Sequence, residues 1–241
     1  MIKTKNDFAS WIVFESDDYI VINKPSDVSS LDERLGTNTS VLRLGKAYHD
    51  DLQLCHRLDK ETSGTLVAAK HPAAYRHLAM AFEHREVVKR YHAVCKGVHD
   101  FQETLIELPL SATTKGLAQI DFQNGKESAT LVTTLKAYRR HTLVECEPIT
   151  GRLHQIRVHL AAKKAPLVAD TQYGGSHLFL SELKKRFNMK KFEEEQPLMK
   201  RVALHAFGIQ FLGMKGELVN VETPYPKDLQ ALITQLNKYD A

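Results

Sequence analysis

Residues 54–69 read LCHRLDKETSGTLVAA. His56, Arg57, Asp59, Lys60, Glu61, Thr62 and Ser63 crowd into one polar segment, and after Gly64 the chain turns apolar from Thr65 to Ala69. A short apolar run bounded by turn residues predicts a buried strand, so the charged segment before it is a loop held against sheet structure. Two readings of that loop follow. Asp59 is either a functional carboxylate at the C-terminal end of sheet structure or half of an Arg57–Asp59 surface ion pair in an ordinary turn. The local residues leave both open.

Upstream, WIVFESDDYIVINKP (11–25) gives two β-rich runs split by Ser16-Asp17-Asp18, a hairpin that ends at Pro25. From Ser26 to Asp50 the pattern weakens into Ser, Asp, Asn and Gly punctuation. Downstream, Pro72 opens a helix in which Tyr75, Leu78, Ala79 and Phe82 recur at spacings of three and four. Strand-like segments follow at 87–96, 104–108, 129–137 and 142–147. GRLHQIRVHLAAKK (151–164) predicts a helix with Gly151 at its edge, Leu153, Ile156, Val158 and Leu160 as apolar members, and Lys163 and Lys164 suited to its C-terminal dipole. The charge-rich stretch of about 176–200 is expected to be a partly helical, solvated insertion. Two strands, LHAFGIQF and ELVNVETP, precede a closing helix over about 227–238.

Strands and helices mix without strict βαβ alternation. That pattern predicts an α+β fold, a mixed and largely antiparallel β-sheet flanked by helices, as a single domain over 1–241 with a core of about 11–226. With 241 residues, 43% apolar and 26% charged, the chain can bury a substantial core. A net charge of +4 suits a polyanionic partner without naming one. Three cysteines, Cys55, Cys95 and Cys146, lack a CxxC pair, which disfavours a disulfide framework or a Cys-rich zinc site and suggests reduced thiols. The N-terminus lacks a secretory apolar stretch and every apolar run is too short to span a bilayer, so a cytoplasmic protein without membrane association is expected. With no GxGxxG or P-loop pattern, no nucleotide cofactor is expected either.

Two further segments could carry chemistry. In GRLHQIRVH, Arg152, His154, Gln155, Arg157 and His159 sit among apolar anchors: an Arg could reach into a site, or the segment could be a basic amphipathic helix facing solvent. His154 and His159 miss the i, i+4 spacing of an HExxH pair, so no metal site is expected. In KRYHAVCKG, alternation places Val87, Lys89, Tyr91 and Ala93 on one face. A core aromatic is the plain reading of Tyr91. HREVVKRYH, KAYRRH and SELKKRF could supply phosphate contacts or be solvated faces.

HRLDKETSG resembles the HRLDxxTSG signature of the RluA-type pseudouridine synthase family, and other segments match in order: NKP (23–25), KRY (89–91), TGRLHQIRVHLA (from Thr150), ADTQYGG (from Ala169) and LHA (204–206). The likeness runs from Trp11 onward, so the RNA-binding module that precedes the catalytic domain in many relatives is not expected here. Three positions depart from the family pattern: Asp27 and Ala169 stand where Gly is common, and Leu153 where Thr is usual. The resemblance implies the pseudouridine synthase catalytic fold and a monomer without cofactor that isomerises uridine in a structured rRNA or tRNA stem-loop.

The same resemblance implies the site. Asp59 is the catalytic carboxylate, either attacking C1′ or removing the C2′ proton; Arg157 is its supporting cation, and Tyr91 packs on the target base. Arg57 fills the gap left by the flipped nucleotide, with His56, Arg152, His154, Lys89 and Arg90 as further RNA-binding candidates. Two rivals are a non-catalytic RNA-binding protein and a metal-dependent hydrolase drawing on the twelve histidines.

Overall fold

The computed structural model describes residues 7–32, 39–188 and 194–241. In chain order its strands are β1 (Ile12–Glu15), β2 (Tyr19–Lys24), β3 (Gln53–Leu54), β4 (Ser63–Ala69), β5 (Val88–Lys96), β6 (Thr104–Glu107), β7 (Leu110–Ala112), β8 (Ala118–Ile120), β9 (Ala129–Ala137), β10 (His141–Pro148), β11 (Leu204–Leu212) and β12 (Leu218–Glu222). The helices are α1 (Val41–Tyr48), α2 (Pro72–Glu83), α3 (Gln155–Ala162), α4 (Leu180–Leu183) and α5 (Lys227–Tyr239). The chain divides into two compact units, residues 1–90 with 205–224 and residues 91–204 with 225–241.

In the first unit, β1 and β2 form the expected hairpin, and β2 and β3 both pair antiparallel with β4. β4 is buried along its whole length, as its unbroken apolar run requires, and its start pairs in parallel with β11, which continues antiparallel to β12. Tyr19, Val21, Val67, Leu78, Ile209 and Phe211 form the core under α2. The buried stripe of α2 is Ala74, Leu78 and Ala81, one residue away from the predicted one, so Tyr75 is exposed. α1 is a correction to the unpatterned reading of 26–50: the Ser40 hydroxyl accepts from Arg43 N at 3.1 Å as an N-cap, and Val41 and Gly45 are buried. The polar residues around α1 mask its short buried stripe.

In the second unit, β5, β10, β9 and β6 form an antiparallel sheet, and β7 and β8 form a separate hairpin that the sequence reading missed. α3 starts four residues later than the motif suggested, because His154 adopts a left-handed φ of 50°. Ile156 and Leu160 pack into one apolar cluster with Ala93, Val144 and Cys146, while Val158 packs on the β7–β8 hairpin with Leu110 and Ala118. The charged insertion is also corrected. Among the described residues its one helix is α4, and Leu178, Leu183 and Met199 are buried in a core shared with Leu229, Leu232 and Leu236 of α5, so its ends are packed rather than solvated. Residues 189–193 of that insertion lie outside the described residues.

Candidate active site

The Asp59 loop runs from β3 into the N-terminal end of β4, and four separate pins hold it. Cys55 N donates to Val67 O at 3.1 Å, and Val67 N donates to His56 Nε2 at 3.1 Å. His56 must keep Nε2 unprotonated to accept that bond. Burial, aided by the nearby Lys89 charge, lowers its pKa to about 3, and its ring lies 5.0 Å from that of Phe82. Leu58 is buried, and the Ser30 hydroxyl both accepts from Leu58 N at 3.0 Å and donates to Leu58 O at 2.7 Å. Thr62 N closes a turn on Asp59 O at 3.1 Å.

The last pin is a buried cation. Alternation along β2 puts Lys24 on the face of Ile20 and Ile22, and it is fully buried with them. Its ammonium donates to the carbonyls of Pro25 at 2.8 Å, Val28 at 2.9 Å and Lys60 at 3.1 Å, which ties the NKP segment to the residue after Asp59. Asp27 N adds a bond to Lys60 O at 2.9 Å, from a left-handed φ of 66°. At the strand side, a Cβ on Gly64 would lie 2.1 Å from Ala206 O. That close approach lets Ser63 Oγ meet His205 Nδ1 at 2.9 Å and explains why TSG and LHA both belong to the motif set. In this frame Asp59 is half-buried and Arg57 exposed.

In the second unit the Thr150–Gln155 turn launches α3. Gln155 Oε1 accepts from Thr150 Oγ1 at 2.7 Å and from Arg152 N at 3.0 Å, while its Nε2 donates to Ala129 O and Thr130 Oγ1. His159 is buried against Thr130 and Ser128, and desolvation lowers its pKa; it is a core histidine. Arg157 is buried beside them. Its Nε and Nη2 donate to the two Asp170 carboxylate oxygens at 2.8 and 2.7 Å, and Nη2 also donates to Gln172 Oε1 at 2.7 Å. The Tyr173 ring lies 4.8 Å from the guanidinium carbon. Tyr173 OH accepts from Ala118 N at 2.9 Å and meets His154 Nδ1 at 2.8 Å.

The Asp170 turn is built tightly. Gly175 N donates to Asp170 O at 2.8 Å, and a Cβ on Gly175 would sit 2.0 Å from Leu167 O. Ala169, where the family pattern favours Gly, holds a left-handed φ of 63°. Tyr91 lies on β5 opposite Cys146, half-buried against the Ile156 cluster.

The predicted residues thus fall into two groups. His56, Arg57, Asp59, Lys89 and Arg90 belong to the first unit; Tyr91, Arg152, His154 and Arg157 belong to the second. Burial lowers the Lys89 pKa to about 8. Arg90 Nη2 donates to Glu222 at 2.6 Å and its guanidinium lies 5.6 Å from the Phe207 ring, over Gly208, where a Cβ would crowd it at 2.9 Å. His56 and Arg90 therefore hold structure. Lys24, Ser30, Asp170 and Gln172 were missed as site supports. The signal for Lys24 was its inward strand position; the partnership of Arg157 with Asp170 spans thirteen residues and has no local signature. Among the described residues no group of three or more His, Cys, Asp or Glu could hold a metal ion.

Residues 18–162, which include the Asp59 loop, Tyr91 and α3, match the RNA pseudouridylate synthase family. The chain belongs to this family. Among its relatives, the ribosomal large subunit pseudouridine synthase C of Buchnera aphidicola subsp. Baizongia pistaciae is 35% identical over 215 residues, covering 86% of this chain and 64% of that protein. The ribosomal large subunit pseudouridine synthase D of Neisseria meningitidis serogroup B is 36% identical over 236 residues, 93% of this chain and 60% of that protein. The chain therefore spans less than two thirds of either relative. The dual-specificity RNA pseudouridine synthase RluA of Vibrio parahaemolyticus is 34% identical over 209 residues, 83% of this chain and 76% of that protein. The structure of human RNA pseudouridylate synthase domain containing 1 superposes with a TM-score of 0.66 at 28% identity, over 89% of this chain and 83% of that one. For RNA pseudouridylate synthases, then, the α+β architecture described above is the family fold.

Proposed function

We propose that this chain isomerises uridine to pseudouridine in large-subunit ribosomal RNA, with Asp59 as the catalytic carboxylate. The reaction breaks C1′–N1, turns the bound uracil and joins C1′ to C5. N1 is left protonated and C5 gives up its proton, so no redox or energy carrier is consumed. Asp59 either attacks C1′ or removes the C2′ proton, and each role needs an ionised carboxylate held still. The observation that carries the reading is the Asp59 loop itself, in which Lys24, Ser30 and His56 fix the backbone on every side of one half-buried carboxylate.

Arg157 and Tyr91 complete the catalytic set. The bidentate pairing with Asp170 supports a role for Arg157 that depends on guanidinium geometry, which a lysine cannot reproduce. Arg57, exposed and two residues before Asp59, fills the helix when the uridine flips out. The same reading makes the protein a cytoplasmic monomer that needs neither metal nor nucleotide cofactor. Ribosomal RNA is favoured over transfer RNA because the first two relatives above carry ribosomal names.

Pseudouridine mapping of total RNA from cells with wild-type protein and from cells with Asp59→Asn tests this. A large-subunit rRNA site present only in the wild type is the expected result. Identical maps would overturn the assignment, and a lost site confined to transfer RNA would overturn its substrate.

A further inference from the structure

Phe122 has the highest exposure of any large apolar side chain among the described residues, 77%. It does not ride on a loose loop. Asp121 Oδ1 accepts from Gln123 N at 3.0 Å and Asn124 N at 2.9 Å, an Asx turn, and Gly125 N donates to Asp121 O at 2.9 Å. A Cβ on Gly125 would lie 2.2 Å from that same carbonyl, so the turn is closed around a glycine. Leu110 and Lys126 then exchange both backbone bonds, locking the turn onto the β7–β8 hairpin. The sequence thus builds a rigid mount and points an aromatic ring outward from it.

The surroundings fit a nucleic acid. Lys126 is exposed four residues on, and exposed Arg152 is anchored by Nε to Glu127 O at 3.0 Å, so two cations flank the ring's turn. Exposed Gln123 and Asn124 offer amides. Two carboxylates are also local: Asp121 has Oδ1 turned into the backbone bonds of its own turn, and Glu127 is exposed. The hairpin packs on Val158 and Leu153, and its Ala118 N is held by Tyr173, whose ring faces Arg157. A contact made at the hairpin therefore bears on the segment that carries Arg157.

We infer that Phe122 is a stacking platform for an unpaired nucleobase of the RNA substrate, with Arg152 and Lys126 holding the flanking phosphates. The inference rests on the RNA-directed function proposed above. An aromatic ring stacked on a base is worth about 1–3 kcal/mol by alanine substitution, and it tolerates any base because each has a π-face. Because Phe122 is so exposed, replacing it leaves folding almost untouched.

The test uses the full chain and two fluorescent probes, a 12-nucleotide oligoadenylate and a 12-base-pair RNA duplex, read by polarisation. Phe122→Ala should weaken oligoadenylate binding roughly five- to 150-fold, which is the stacking energy above as a ratio. Phe122→Trp should bind as wild type or tighter, Phe122→Leu should resemble the alanine variant, and duplex binding should not change. Equal oligoadenylate affinity for wild type and Phe122→Ala overturns the inference. So does a leucine variant that binds like wild type, which would make the contact apolar rather than stacked. A wild-type dimer that dissociates on Phe122→Ala, seen by light scattering, overturns it by making the ring a contact between copies. None of these readouts needs pseudouridine to form, so the outcome stands apart from the activity test.

Discussion

Arg157 and Asp170 form a bidentate ion pair at 2.7 and 2.8 Å with side chains 5% and 0% exposed. A pair desolvated this far contributes orientation more than net stability, because the cost of taking both charges out of water offsets most of their attraction. Removing one partner leaves the other charged and buried. Asp170→Ala should therefore lower unfolding free energy by about 3–5 kcal/mol in urea titration, whereas Arg157→Met with Asp170→Leu should recover most of that loss. The double variant should fold and still make no pseudouridine.

Lys24 offers a second separation of fold from chemistry. Lys24→Met keeps the length and apolar stem but leaves the carbonyls of Pro25, Val28 and Lys60 without their ammonium donor. Lys60 O keeps its bond from Asp27 N, but each part-buried acceptor stripped of its donor, as at Pro25 and Val28, costs about 1–3 kcal/mol. The variant should lose at least about 2 kcal/mol of stability and, because the Asp59 loop loosens, kcat should fall more than RNA affinity does. Unchanged kcat in a destabilised variant would show that Lys24 serves the fold alone.

Ala169 stores strain. With φ at 63°, its Cβ crowds the following carbonyl, at about 1–2 kcal/mol for a residue without a polar side chain to compensate. Part of that is returned by glycine's greater freedom in the unfolded chain. Ala169→Gly should raise stability by roughly 0.5–1 kcal/mol. Asp27→Gly, at φ 66°, should gain less, since Asp tolerates the left-handed region. Chemical denaturation of both variants measures the difference.

His56 makes the fold sensitive to acid. Its pKa falls from the ordinary 6.5 to about 3 on folding, so between those values the unfolded chain binds a proton that the folded chain refuses. Stability from this group is therefore full above about pH 6.5 and is lost as pH falls toward 3, at a limiting slope of about 1.4 kcal/mol per pH unit. His56→Gln, whose amide oxygen can still accept from Val67 N, should flatten that slope in urea titrations between pH 6.5 and 4. An unchanged slope would remove His56 as its source.

The sequence was most legible where local pattern and structure coincide. The β1–β2 hairpin, β9, β10 and α5 follow from alternation, turn residues and helical spacing, and β9 matches the predicted 129–137 at both ends. α1 and the β7–β8 hairpin escaped because their apolar residues are few and their stability comes from long-range packing, as with Val41 or Ala118. In the site, HRLDKETSG pointed to Asp59 through family likeness, while the reason for its neighbours came from partners far along the chain. Gly64 is explained by Ala206 and Ser63 by His205, neither of which any window around Asp59 contains.

The central claim is that Asp59 does the chemistry and is not needed for holding RNA. The most direct measurement is a paired one on purified Asp59→Asn with a large-subunit rRNA transcript: pseudouridine formed, by mass spectrometry of digested RNA, and Kd, by filter binding. The expected result is no detectable product with Kd close to that of the wild type. Residual pseudouridine at wild-type sites together with lost binding would contradict it.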